Sequence, residues 1–388
     1  MHLAADPTRD LPGFPRAGTL DHVDRVPPSW FPRVSSVRRK VFLMNRVRWR
    51  KRLILAVKVV VAAAVVWGVG RHVLRTWSDL KRHELVLQVS PAYLAVSGLL
   101  YLVGLTLCAL FYDDVLKASS TPIPRLAAVR AYLISHLGKY VPGKAMVVVM
   151  RAGMSAQHGA RGATAAIATF YETLVMMASG GLIAAAGFAM GGPSPLATVN
   201  LPVLGATSIP VFQLASLGSL GLGLGFLVVV WPSVFRRIAL VASLPIPGAG
   251  PDALPRFTKR LMALGLARAS LSWLALGLSQ LAVVRGLTPW GYRELLATYP
   301  LVVASVALAT VAGFVIAVFP GGLGVREGVL MYALGPALGV DLAVVAALVL
   351  RLVWVAAEFV AALAVGPLAS RGDIPPNPLP QPSTSGSS

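Results

Sequence analysis

Two short stretches of the chain set a helix-breaking Pro-Gly beside basic side chains in apolar surroundings. The first is Lys139-Tyr140-Val141-Pro142-Gly143-Lys144, with Arg151 beyond it; the second is Phe319-Pro320-Gly321-Gly322-Leu323-Gly324-Val325-Arg326-Glu327. Irregular backbone at membrane depth is tolerated only where protein or a polar cavity satisfies the freed N–H and C=O groups. A break there reads as a re-entrant turn opening a short helix whose N-terminal dipole favours anions. Lys139, Lys144, Arg151, Arg326 and Arg351 would be the cations of such a site. Gly143, Gly321, Gly322 and Gly324 would let backbone approach closely, and Pro142 and Pro320 would make the breaks. The other reading of the second stretch is an ordinary interfacial loop between two spans.

The carboxylates are few enough to follow one by one. Glutamate occurs only at Glu84, Glu172, Glu294, Glu327 and Glu358, and Glu172, Glu327 and Glu358 fall in or against apolar segments. Ionisable groups at membrane depth usually face a bundle interior and mark a pathway. At about 1.5 Å per residue, Glu172 and Arg351 each lie ~15 Å into their helices, near mid-bilayer. Glu358 follows Arg351 by two helical turns on nearly the same face. The three glutamates are expected to neutralise some of Arg151, Arg326 and Arg351, leaving a residual positive site for an anionic headgroup. The alternative is that they are structural ion pairs that lock the bundle.

Other chemistry finds no place in the sequence. Cys108 is the only cysteine, which rules out an intrachain disulfide and multi-Cys metal sites. The six histidines are scattered without a paired metal spacing. Gly322-x-Gly324 follows an apolar span, not a short strand, and its spacing to Gly328 is wrong for a dinucleotide fingerprint. No nucleophile elbow or Ser-His-Asp set is visible, so the expectation is a protein without enzymatic activity, cofactor or metal.

The elements that must hold these residues are membrane spans. The 388 residues are 56% hydrophobic and 13% charged, where soluble chains carry roughly 25% charge. Apolar runs reach the ~20 residues needed to cross a bilayer. The expected fold is an all-α polytopic bundle of about seven to eight transmembrane helices with two broken Pro-Gly elements. Full spans are expected near 53–70, 91–111, 163–190, 211–231, 261–284, 295–318 and 342–368, with the first break inside 126–154. Gly221-x-x-x-Gly225 permits a close helix contact, although the Gly-rich composition also produces such spacing by chance. The net charge of +20 is concentrated before the first span, where residues 33–52 hold nine bases and no acid. That run reads as a cytoplasmic topology anchor that attracts anionic lipid headgroups, not as a nucleic-acid surface. Residues 1–52 form a disordered basic tail, 53–368 the membrane domain, and 369–388 a Pro/Ser-rich disordered tail. The uncharged link 191–208 is expected outside the cell and the basic link 236–260 inside.

Pro320-Gly321-Gly322-Leu323-Gly324-Val325-Arg326-Glu327, followed by a span containing Arg351, resembles the lysylphosphatidylglycerol synthase transmembrane-region family of flippase-like membrane proteins. Gly138-Lys139-Tyr140-Val141-Pro142-Gly143-Lys144 with Arg151 is similar to the first motif of that family, and Glu172 to its intramembrane acid. The resemblance runs from about Leu53 to Leu368. It implies about eight helices with re-entrant elements and movement of a lipid, anionic or lipid-linked, between leaflets of the cell membrane. The aminoacyl-transferase domain of some members has no counterpart after the last span, so lysyl transfer is not implied. Ala145, Met146 and Val147 stand where many members place an acid, so no headgroup preference carries over. Membrane lipids are the expected partners; a supporting subunit for a lipid-modifying or glycosyl-transferring enzyme, or a secondary solute transporter, are the other readings.

Overall fold

The computed structural model describes Trp67, Arg71 and residues 89–140, 145–191, 195–201, 205–243, 254–316 and 325–366. The basic tail, nearly all of the expected first span, Lys144, both Pro-Gly breaks and the C-terminal tail lie outside the described residues, as does the Glu327 side chain. Ten α-helices carry the described chain: α1 (Pro91–Lys117), α2 (Arg125–His136), α3 (Ala145–Ala156), α4 (Gly162–Met190), α5 (Val211–Val230), α6 (Pro232–Ser243), α7 (Lys259–Leu287), α8 (Tyr292–Val315), α9 (Val325–Leu338) and α10 (Val340–Val365). Six of them, α1, α4, α5, α7, α8 and α10, are long and apolar enough to cross a membrane. They match the six expected spans that fall among described residues. The chain is an all-α polytopic membrane protein.

The link 191–208 departs from a plain loop. Strand β1 (Leu196–Leu201) pairs antiparallel with β2 (Gly205–Pro210), Leu196 opposite Pro210 and Leu201 opposite Gly205. The hairpin hands the chain from α4 straight into α5. The basic link likewise contains a helix, α6, which buries Phe235 and Ala239 and leaves Arg236 and Arg237 exposed. That face pattern is the signature of a helix lying along an interface.

Helix α1 continues to Lys117, six residues past the expected end at Phe111. The extension is possible because Oδ2 of the fully buried Asp113 is paired with both Lys117 Nζ at 2.6 Å and Arg125 Nε at 3.0 Å. A buried carboxylate without such partners would be costly. The next residue, Asp114, pairs with Arg268 of α7.

Close helix packing is made through glycine, though not through the expected pair. Neither Gly221 nor Gly225 has a neighbouring atom near the place of a Cβ. The α4–α5 contact runs instead through Gly181 and Gly223, on the other side of α5. Gly180 lies under the Trp273 indole of α7, where a Cβ would be 2.7 Å from a ring carbon.

Backbone contacts place the helices that flank the two breaks. The ends of the first, α2 and α3, are tied together where Arg161 N–H donates to Thr121 Oγ1 at 3.3 Å. This is the face where α1 ends and α7 begins, since Arg256 N–H donates to Ala118 O at 2.8 Å. Ser90 N–H bonds Gly286 O at 2.9 Å, which puts the start of α1 and the end of α7 on the opposite face. Arg130 of α2 donates to Val365 O and Gly366 O at 3.1 and 3.2 Å, so α10 ends toward the α2 side and begins, where α9 ends, at the other. Helix α9 begins beside the C-terminal half of α8, where Arg326 reaches Thr310, and ends at the turn at Gly339, where φ is +82°.

Candidate functional site

The flanks of both broken elements meet at one cavity of about 300 Å³. Lys139 reaches it from the 3-10 turn Leu137–Tyr140 before the first break, Arg151 from α3 after that break, and Arg326 from the first turn of α9 after the second. Glu172 comes from α4, and Tyr101, Tyr132 and Trp354 supply aromatic walls from α1, α2 and α10. Cys108, buried, lines it from α1.

Arg151 and Glu172 form its most enclosed ion pair, 3.3 Å long, with side chains 2% and 4% exposed. Each partner is further satisfied. Tyr132 Oη donates to Glu172 Oε1 at 3.0 Å, and Arg151 Nε donates to Ser135 Oγ at 3.0 Å. The guanidinium lies 3.8 Å from the centroid of the Tyr132 ring and 5.2 Å from that of Tyr112, two cation–π contacts with rings tilted to each other. Tyr112 is anchored in turn to Ser155 Oγ at 2.8 Å, one turn of α3 beyond Arg151. The pair is therefore both a structural lock and a wall of the cavity.

Glu358 behaves differently from expectation. Its carboxylate accepts hydrogen bonds from Tyr101 Oη and Lys139 Nζ, with His136 Nε2 3.8 Å away. Its nearest cation is thus Lys139, not one of the three arginines. The reason is local: Leu137 packs on Val355 of α10, and the tight 3-10 turn after it swings Lys139 over Glu358. Tyr101 stacks on Trp354 with ring centroids 4.5 Å apart, and the Trp354 indole N–H donates to Ser279 Oγ at 2.9 Å. Trp354 and Glu358 are four residues apart, on one face of α10.

Arg326 donates from Nη2 to Thr310 Oγ1 at 2.8 Å. Its aliphatic stem rests where Gly313 lacks a side chain; a Cβ there would stand 3.1 Å from Arg326 Cγ. Arg351 is not part of the cavity wall, but it lies within electrostatic reach of Arg326 and Glu358. Lys139, Arg151, Arg326 and Arg351 outnumber Glu172, Glu327 and Glu358 whatever the placement of Glu327. The cluster keeps an excess of positive charge.

Sequence reasoning passed over Tyr101, Tyr132 and Trp354. Spacing held a partial signal for Trp354, one turn before Glu358, and for Tyr132, one turn before His136. Tyr101 carries none, because its role depends on how α1 and α10 pack. Comparison with protein-family models gives no match, and no curated protein sequence matches the chain.

Proposed function

We propose that this polytopic membrane protein is flippase-like: it binds a lipid through an anionic headgroup or lipid-linked phosphate and moves it between leaflets. One observation carries the reading: Lys139, Arg151 and Arg326, from the flanks of two separate helix breaks, line a single cavity. Interrupted helices converging on a buried polar site are the usual construction of a transport site, because half-helix ends and cations together replace the water lost by the cargo. The resemblance of both Pro-Gly stretches to the lysylphosphatidylglycerol synthase transmembrane region supports the same reading. In this scheme Arg326 and Lys139 contact the headgroup, while the Arg151–Glu172 pair holds α3 and α4 in register behind it. The basic run at 33–52 keeps the N-terminus cytoplasmic and holds anionic headgroups near the protein.

The test is leaflet exchange of labelled lipids in vesicles reconstituted with the full chain. Exchange that Arg326→Ala abolishes supports the proposal. A protein that exchanges no lipid alone but co-purifies with a transferase would make it a supporting subunit instead. Uptake of a solute along an ion gradient would make it a solute transporter.

A further inference from the structure

A second, larger cavity of about 1200 Å³ lies where α1 ends and α7 begins, outside the charge cluster of the bundle interior. Arg236 of α6, Arg256 of the link and Arg260 in the first turn of α7 line it. All three are exposed. No ion pair involves any of them among the described residues; Asp114 and Lys117 also line the cavity, but Asp114 is paired with Arg268 and Lys117 with the buried Asp113, which Arg125 shares. The cavity thus combines three uncompensated guanidinium groups with the positive dipole end of a 29-residue helix. Its floor is apolar, made by Leu254, Leu261 and Leu264, the last of which is 40% exposed. Guanidinium groups above an apolar floor at a membrane boundary suit a phosphate that carries a hydrophobic tail.

We infer that this cavity is a binding site for a phosphate-bearing anion, separate from the interior site. Arg236, Arg256 and Arg260 grip the phosphate oxygens, and the leucine floor receives the apolar part of an anionic phospholipid where the ligand is a lipid. The inference is independent of transport; it requires neither Arg326 nor the interior cavity.

The experiment uses the full chain in detergent, supplied with phosphatidylglycerol and phosphatidylcholine and read by native mass spectrometry for retained lipid. The wild-type chain is expected to retain phosphatidylglycerol preferentially, and Arg236→Gln/Arg256→Gln/Arg260→Gln to retain about a hundredfold less, at roughly fivefold per arginine. Arg237→Gln, on the same helix but not in the cavity wall, is the control and keeps the wild-type level. Arg256→Gln alone, a change in an exposed link, gives a smaller loss and serves if the triple variant does not fold. Competition by inorganic phosphate at millimolar level would assign the site to a soluble phosphate, and no competition would assign it to the lipid. Retention of phosphatidylglycerol unchanged in the arginine variants, with inorganic phosphate causing no thermal shift, would overturn the inference.

Discussion

Gly181 of α4 and Gly223 of α5 touch backbone to backbone: a Cβ on Gly181 would sit 2.6 Å from Gly223 Cα. Neither helix can yield without moving its whole axis, so a methyl group at either position is expected to cost about 1–3 kcal/mol through overpacking. Gly181→Ala and Gly223→Ala should each lower the thermal unfolding midpoint in detergent. Gly221→Ala, which meets nothing within 4 Å, should leave it unchanged or raise it slightly.

The Arg151–Glu172 pair separates stability from transport. Arg151→Met leaves a buried carboxylate without its counter-charge and is expected to destabilise by about 3–5 kcal/mol. Arg151→Met combined with Glu172→Leu removes both charges and should recover most of that loss. Lipid exchange by the double variant then tells whether the pair acts only as a lock: exchange at the wild-type rate would confine it to that role.

Arg326 should respond in the opposite way. Its partner Thr310 is neutral and its stem lies against Gly313, so Arg326→Gln removes charge while leaving most of the packing. Exchange is expected to fall at least tenfold, an effect of about 1.4 kcal/mol on the barrier, with little change in unfolding midpoint. A midpoint that collapses with the activity would make Arg326 a structural residue.

Tyr101→Phe deletes the hydroxyl that donates to Glu358 and keeps the stack on Trp354. Loss of a buried hydrogen bond to a charged acceptor is expected to cost about 1.5–3 kcal/mol. Denaturant or thermal unfolding checks this, and a neutral result would show that Lys139 alone satisfies the carboxylate.

How much of this was legible in the chain depends on the length scale of the signal. The six spans could be read because each apolar run exceeds what a bilayer demands, and Glu172, Arg151 and Arg326 stood out because charge is expensive there. The pairing of Glu358 with Lys139 was not legible, since it depends on a four-residue 3-10 turn packing against a helix more than two hundred residues away. The Gly181–Gly223 contact was hidden for a similar reason. Gly221 and Gly225 have the familiar spacing, but the rotation of α5 is set by α4, which presents Gly181 to the other side. Helix α6 and the β-hairpin were missed because spans dominate hydropathy and short amphipathic elements between them leave little trace.

The single thiol offers an optical handle that needs no engineering. Cys108 is 5% exposed and faces the interior cavity between Met176 and Ser272, out of reach of bulky reagents in the packed state. A small, water-borne thiol reagent can modify it only when solvent enters that chamber. The labelling rate of the wild-type chain therefore reports how freely water reaches that cavity. Any cysteine introduced elsewhere is measured against the low background of one buried thiol.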